Sequence, residues 1–274
     1  PGVGSKTGFA RLETLKMSRA TATPRAGRAG RQSPGIAIRL WSEATQRSLR
    51  PQDAPVILVA DLTNFALVTA AWQDVMGTAP DMLPLLDAPP TGVLAGGREL
   101  LRELGALNEA GQITVLGKRM VGLGTHPRLA AMLCAAKTIP ERVTAACLAA
   151  LLEERDPLRP RPNMPSGASA GADIRTRLAL FERDDPRADR ASLFHMRQAA
   201  KRFLRRMGGK DLPLSPMPSH AGPLLAAGFP DRVAQAAGEI GRFRLAGGGS
   251  ARVQANDGLA REKLLAAAAF HTRT

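Results

Sequence analysis

The chain has 274 residues, with 38 Lys and Arg against 24 Asp and Glu, a formal net charge of +14 at pH 7. That length suits one large domain or two to three small ones, each with its own core. A hydrophobic fraction of 44% argues against wholesale disorder. No apolar run approaches the length of a membrane span, and the start lacks a signal-peptide pattern, so no membrane partner is expected. Two cysteines, Cys134 and Cys147, exclude a disulfide framework and a four-cysteine zinc site. A reduced, cytoplasmic setting is expected.

Of the cations, 31 are Arg and 7 Lys, a bias typical of GC-rich coding sequence. Their distribution says more than their sum. Residues 1–50 carry net +8, whereas residues 51–100 carry net −5. A local basic excess attracts phosphates of nucleic acid or of a nucleotide. It is equally the composition of a solvated arginine-rich surface.

In chain order, residues 9–17 alternate roughly apolar and polar and predict a strand or hairpin arm. Residues 18–35, SRATATPRAGRAGRQSPG, hold too much Gly, Pro, Ser and Thr for one regular element. GIAIRLW, at 35–41, predicts a short strand ending in Trp41. Residues 55–72 predict one helix with Pro55 in its first turn. Residues 91–104 predict a second, with Leu94, Leu100, Leu101 and Leu104 on one side and Gly105 as its stop.

LGALNEAGQITVLGKRM, at 104–120, then reads as helix end, turn, strand and turn. A helix followed by a hairpin around Asn108–Gly111 is the pattern of a winged helix, or of an ordinary helix–hairpin connection. Two Ala-rich helices follow at 127–137 and 140–153, then a Pro/Gly/Ser-rich stretch at 155–171. Helices at 172–182 and 188–207 come next. The second ends in Lys201, Arg202, Arg205 and Arg206, which suit a helix C-terminus and could also touch a nucleic-acid backbone. Residues 222–238 predict a helix interrupted near Pro230. Residues 242–254 predict a hairpin about Gly247–Gly249. The end, from Leu264, suits helix or strand.

The segment RAGRAGR, Arg25 to Arg31, carries the strongest chemical signal. Glycines permit close backbone approach. Arg28 and Arg31 lie three apart, so on a helix both guanidiniums share a face. Two planar, permanently charged forks suit a polyphosphate and can stabilise charge on a transferring γ-phosphoryl group. The same spacing also fits a flexible RNA-binding stretch with no catalytic role.

Other candidates are structural. His126 before Pro127 suits a helix entry. His195, His220 and His271 lack metal-ligand spacing, so no metal set is expected. Cys134 and Cys147 suit buried packing. Trp41 and Trp72 suit core anchors. No G-x-S-x-G elbow occurs.

RAGRAGR, preceded by SRATAT and followed by SPGIAIRLWSE, resembles motif VI of the DEAH/DExH-box helicases. TGFARLETLKMS, LLRELGALNEAGQIT, GLGTHPRLAAML, LAALLEERD and AAGFPDRVAQ follow the order of the bacterial HrpB-type ATP-dependent helicases and run through most of the chain. The resemblance implies a mixed α/β, mostly helical architecture in four parts. Residues 1–50 would end a second RecA-like α/β domain, 51–120 would be a winged helix, and 121–215 a helical ratchet bundle. Residues 216–274 would begin an OB-like, family-specific region. It implies that Arg28 and Arg31 reach the ATP γ-phosphate across an inter-domain cleft, with Gly27 and Gly30 as the motif's glycines. It implies ATP and Mg²⁺ as cofactors, single-stranded RNA or DNA as partner, and an N-terminal RecA-like domain as the other wall of the cleft.

Two departures bear on activity. Pro24 stands where the family has Gln, whose amide helps hold the phosphate or attacking water. Proline offers no such group and fixes φ. The chain also contains no Walker A loop and no DEAH sequence; PGVGSKTG has Ser5 where GK[ST] needs Gly. The expectation is the C-terminal part of a helicase that does not turn over ATP alone. The alternatives are a non-enzymatic winged-helix nucleic-acid-binding module and an inactive truncated product.

Overall fold

The computed structural model describes residues 16–77, 83–158, 171–209 and 212–270. The first predicted strand, 9–17, lies almost wholly outside them. Helices dominate, with one small antiparallel sheet near the end. The chain divides into two compact units, one of residues 1–62 and 83–95, the other of 63–82 and 96–274.

In the first unit, helix α1 spans Arg19–Gly27 and runs into a 3-10 turn, Arg28–Gly30. Residues 18–35 are thus not one regular element, although their first half is helical. Helix starts leave N–H groups without intrahelical partners. Ser18 Oγ accepts one from Thr21 N at 3.0 Å, while Arg19 N and Ala20 N donate to the carbonyls of Arg50 and Pro51. The Thr21 hydroxyl donates to the Asp53 carboxylate and holds that carboxyl below its ordinary range. Partners some 30 residues away in the chain thus supply what local composition does not.

Helix α2, Glu43–Ser48, is capped by Ser42, and α3 is the short turn Val56–Val59. Residues 35–41 form no strand. Ile36, Ile38 and Leu40 alternate as predicted but are 89%, 80% and 91% exposed. A strand needs a ladder partner, and none pairs with them among the described residues.

In the second unit, α4 is Thr63–Met76. The predicted single helix 55–72 is therefore two, broken at residues 60–62. Helix α5, Thr91–Glu103, whose first residues to Ala95 are assigned to the first unit, matches its prediction, and Gly105 follows with φ +71°. The Asn108–Gly111 turn is closed by one bridge, Leu107 to Ile113. The wing-like hairpin goes no further, because residues 115–123 turn into helix α6, Val115–Leu123. Thr114 begins it: its hydroxyl donates to the Gly105 carbonyl at 2.7 Å and accepts from Gly117 N at 3.0 Å. Gly117 is required by proximity. A Cβ there would lie 2.3 Å from the Ala106 carbonyl oxygen and 2.7 Å from Ile113.

Helices α7, Pro127–Ala135, and α8, Ile139–Glu153, form as predicted, each with Pro in its first turn. Thr138 and Glu141 complete a reciprocal cap on α8. Ala145 through Ala150 on α8 are fully buried, and burial pushes the Cys147 thiol far up, leaving it inert. Helix α9, Ile174–Leu178, and α10, Arg190–Arg206, follow. α10 lays Leu193, Met196, Ala199, Ala200, Phe203 and Leu204 inward and packs on α8. Helix α11, Ala221–Gly228, packs on α7.

The predicted continuation of α11 to residue 238 is instead strand β1, Val233–Ala236. The α-helix stops at Gly228, Pro230 opens a 3-10 turn to Arg232, and cross-strand pairing then overrides the helix preference of alanine. β2, Arg242–Leu245, and β3, Ser250–Arg252, make the predicted hairpin. Gly248 and Gly249 turn it with φ +94° and +82°. β4, Leu264–Ala266, settles the ambiguous end as strand, in the order β3-β2-β1-β4.

Gly117→Ala should destabilise the fold. The helix-propensity gain is about 1 kcal/mol, whereas overpacking against a carbonyl and a core Ile costs about 1–3 kcal/mol. A fall in the urea midpoint with unchanged m-value is the expected readout.

Candidate nucleotide and nucleic-acid site

The motif arginines occupy the end of a helix, not its start. Gly27, Arg28 and Arg31 all hold right-handed helical φ and ψ, so the chain winds without a break through the 3-10 turn. Residues three apart eclipse one another in such a turn. Arg28 and Arg31 therefore leave the backbone on one side, and both are exposed. Neither makes an ion pair among the described residues.

A helix C-terminus carries partial negative charge. Cations are stabilised there, and an anion gains nothing from the backbone. Attraction for a phosphate must come from the guanidiniums themselves. Beside Gly27 and Gly30 an added Cβ would meet nothing within 4 Å. The glycine with a packing reason is Gly35, whose Cβ would fall 1.8 Å from the Ala29 carbonyl oxygen. The chain folds back over the turn at that contact. Pro24 is inside α1 and exposed.

The basic end of α10 divides its roles. Arg206 Nη1 donates to the Leu123 carbonyl at 2.7 Å and so caps α6, not its own helix. Arg202 pairs with Glu154 at 3.4 Å. Arg197 pairs with Asp184 at 3.0 Å and donates to the Leu180 carbonyl at 2.8 Å. Lys201 and Arg205 are exposed and unpaired among the described residues.

One buried ionic cluster escaped the sequence reading. Arg128, 5% exposed, holds Asp231 with two hydrogen bonds of 2.5 and 2.9 Å and donates to the Gly228 carbonyl at 3.3 Å. Its guanidinium and that of Arg232 each lie 5.3 Å from the centroid of Phe229. Arg232 also donates to the Ala268 carbonyl at 2.8 Å. Burial and the neighbouring Arg128 charge lower the Arg232 pKa to about 10, so it stays charged. Burial works to raise the Asp231 carboxyl, and Arg128 more than offsets it, leaving it low. Burial, with the charge of Asp231, raises the Glu103 carboxyl. The only sequence signal was the pair of fragments HPR and FPDR, 103 residues apart.

His126 caps α7 by accepting from Arg128 N at 3.2 Å. Trp41 and Trp72 are half-buried rather than deep core, and Trp41 donates to Gln46 at 2.9 Å. No three His, Cys, Asp or Glu side chains among the described residues could share a metal ion. No helix among them is long and apolar enough to cross a membrane.

Comparison with known proteins places these observations. Residues 98–124 match the helicase associated domain (HA2), winged-helix. The chain is 37% identical over 262 residues to the ATP-dependent RNA helicase HrpB of Escherichia coli K12, covering 96% of this chain and 29% of that protein. A crystal structure of the E. coli DExH-box NTPase HrpB matches with a TM-score of 0.68 and 35% identity, over 95% of this chain and 29% of that one. A second, of the Escherichia coli DEAH/RHA helicase HrpB, matches with a TM-score of 0.70, 35% identity and 30% of its length. The chain thus spans less than a third of the relatives it matches.

Removing one partner of a buried ion pair strands the other. Asp231 keeps 26% side-chain exposure, so Arg128→Met should cost about 3 kcal/mol, the low end for buried pairs. A lowered carboxyl pKa stabilises the fold above the ordinary value near 4 and ceases to do so as pH falls through the folded value. The wild type should lose stability across that acid window. Arg128→Met should flatten this part of the curve, measured by thermal unfolding against pH.

Proposed function

With the chain a relative of the HrpB-type DExH-box helicases, we propose that it is a C-terminal portion of such an enzyme. It supplies the arginine side of an ATP site and part of the path of a single nucleic-acid strand. Residues 1–50 close a second RecA-like domain, 51–120 form the winged helix, 121–215 the ratchet bundle, and 216–274 begin the OB-like region. The observation that carries the reading is the 37% identity running through 96% of the chain. The exposed, same-sided Arg28 and Arg31 support it.

In this reading ATP is held mainly by residues outside this chain, together with Mg²⁺. The carboxylates described here do not converge on a metal, so no step is assigned through one. When the two lobes close, Arg28 and Arg31 approach the γ-phosphoryl oxygens. Hydrolysis spreads charge over those oxygens, and fixed guanidiniums stabilise it without reorganising. Their preference for the triphosphate over the diphosphate couples lobe closure to turnover. Pro24 withholds the amide that would orient phosphate or water, so turnover is slow.

Arg28→Ala in the full-length protein should lower nucleic-acid-stimulated ATPase about 10³-fold or more, the worth of an arginine finger. Strand affinity without nucleotide should not change. Unaltered turnover would refute the arginine assignment. Pro24→Gln should raise turnover, while the 274-residue chain alone should release no phosphate.

A further inference from the structure

Helix α1 is gripped at its first turn and open at the end that carries the arginines. Ser18 caps it by accepting from Thr21 N, Arg19 N and Ala20 N donate to the carbonyls of Arg50 and Pro51, and Ala22 N donates to the Ser18 carbonyl. The N–H groups of the first turn are therefore satisfied without Asp53. Asp53 nevertheless takes the Thr21 hydroxyl, 32 residues away in the chain and within the same compact unit. The Ser18 hydroxyl in turn donates to Thr21 Oγ1 at 3.2 Å. The Thr21 hydroxyl, with lesser help from Ser18 and the Arg50 charge, favours the ionised carboxylate. This bond does not form the helix; it fixes where the helix points. At the far end Arg25, Arg28 and Arg31 are exposed, and an added Cβ at Gly27 or Gly30 would meet nothing within 4 Å. Thr21 lies about 10 Å along the axis from Arg28, so a tilt of about 6° at the first turn moves the Arg28 backbone by about 1 Å.

We propose that Asp53, through Thr21, is a positioning residue that aims Arg28 and Arg31 at the γ-phosphoryl group. The proposal rests on the arginine assignment above and adds what sets the reach of those arginines. A displacement of about 1 Å in a group that stabilises transition-state charge costs up to about 100-fold in rate. An exposed hydrogen bond contributes little to stability; the value of this one is directional. Residue 53 also falls where that reading has the RecA-like part give way to the winged helix, so the arginine helix takes its bearing from the first residues of the winged helix. A bond that only stabilised the fold would affect diphosphate and triphosphate alike. A bond that aims the arginines affects the γ-phosphate alone.

The test uses the full-length protein, with steady-state nucleic-acid-stimulated ATPase and with displacement of a fluorescent ADP by ADP and by a non-hydrolysable ATP analogue. Asp53→Ala and Thr21→Val should each lower kcat about tenfold or more. Each should weaken the analogue, while ADP affinity and strand affinity without nucleotide stay at the wild-type level. Thr21→Ser keeps the hydroxyl and should retain wild-type kcat. The double variant Thr21→Val/Asp53→Ala should be no slower than either single one, since both remove the same bond. Losses that add in the double variant, equal weakening of ADP and analogue, or wild-type kcat in Asp53→Ala would each overturn the tether. Arg28→Ala measured alongside separates the two assignments. If it lowers kcat and Asp53→Ala does not, the tether alone fails; if neither lowers it, the arginine assignment fails as well.

Discussion

The bundle and the sheet are joined through one buried charge arrangement. Arg128 leaves the first turn of α7 and reaches Asp231, inside the 3-10 turn that Pro230 opens. The guanidiniums of Arg128 and Arg232 each lie over the ring of Phe229, and Arg232 anchors the chain after β4 through Ala268. Two permanent cations and one carboxylate in a buried setting are tolerable only because every charge has a partner at short range. The α11-to-β1 turn therefore has a single acceptable geometry. A misplaced Asp231 would strand two guanidiniums at once, so the direction in which the sheet leaves the bundle is tightly constrained.

Around that joint, close approach replaces bulk. Gly228 brings α11 against α7, where a Cβ would lie 2.5 Å from the Arg128 carbonyl oxygen. Gly117 does the same for α6 against residue 106. Arg206 then ties the end of α10 to the end of α6. Inner faces are fixed by small residues and capped ends, and the cations without such duties are left to solvent. Arg28 and Arg31, in and just after the turn that follows α1, and Lys201 and Arg205, on α10, are among the exposed cations.

Much of the helical order was legible because it is locally encoded. Pro127 and Pro140 mark first turns, and alanine favours helix on its own account. What failed to read locally depends on distant partners. Ser18 looks like a loop residue until the 50–53 segment supplies acceptors to α1. Ile36, Ile38 and Leu40 carry a strand's alternation, but alternation does not provide a neighbouring strand. Val233 to Ala236 favours helix until β2 and β4 pair with it. The motif arginines were found by resemblance and spacing. Their position at a helix end was not, since the carbonyls of Arg50 and Pro51 that accept from the first N–H groups of the helix lie in another segment. Nor could four similar cations at 201–206 be told apart, because the partners that set Arg206 and Arg202 aside sit at the ends of α6 and α8.

The alanine run of α8 also limits how this lineage can vary. Where Ala145, Ala146, Ala149 and Ala150 are fully enclosed, every larger side chain is an intruder and only glycine is smaller. Such an interface has almost no neutral neighbours in sequence space. Divergence among homologues should therefore be steepest on the outer faces and nearly frozen along this one helix, so that specificity can drift while the chassis beneath it stays the same.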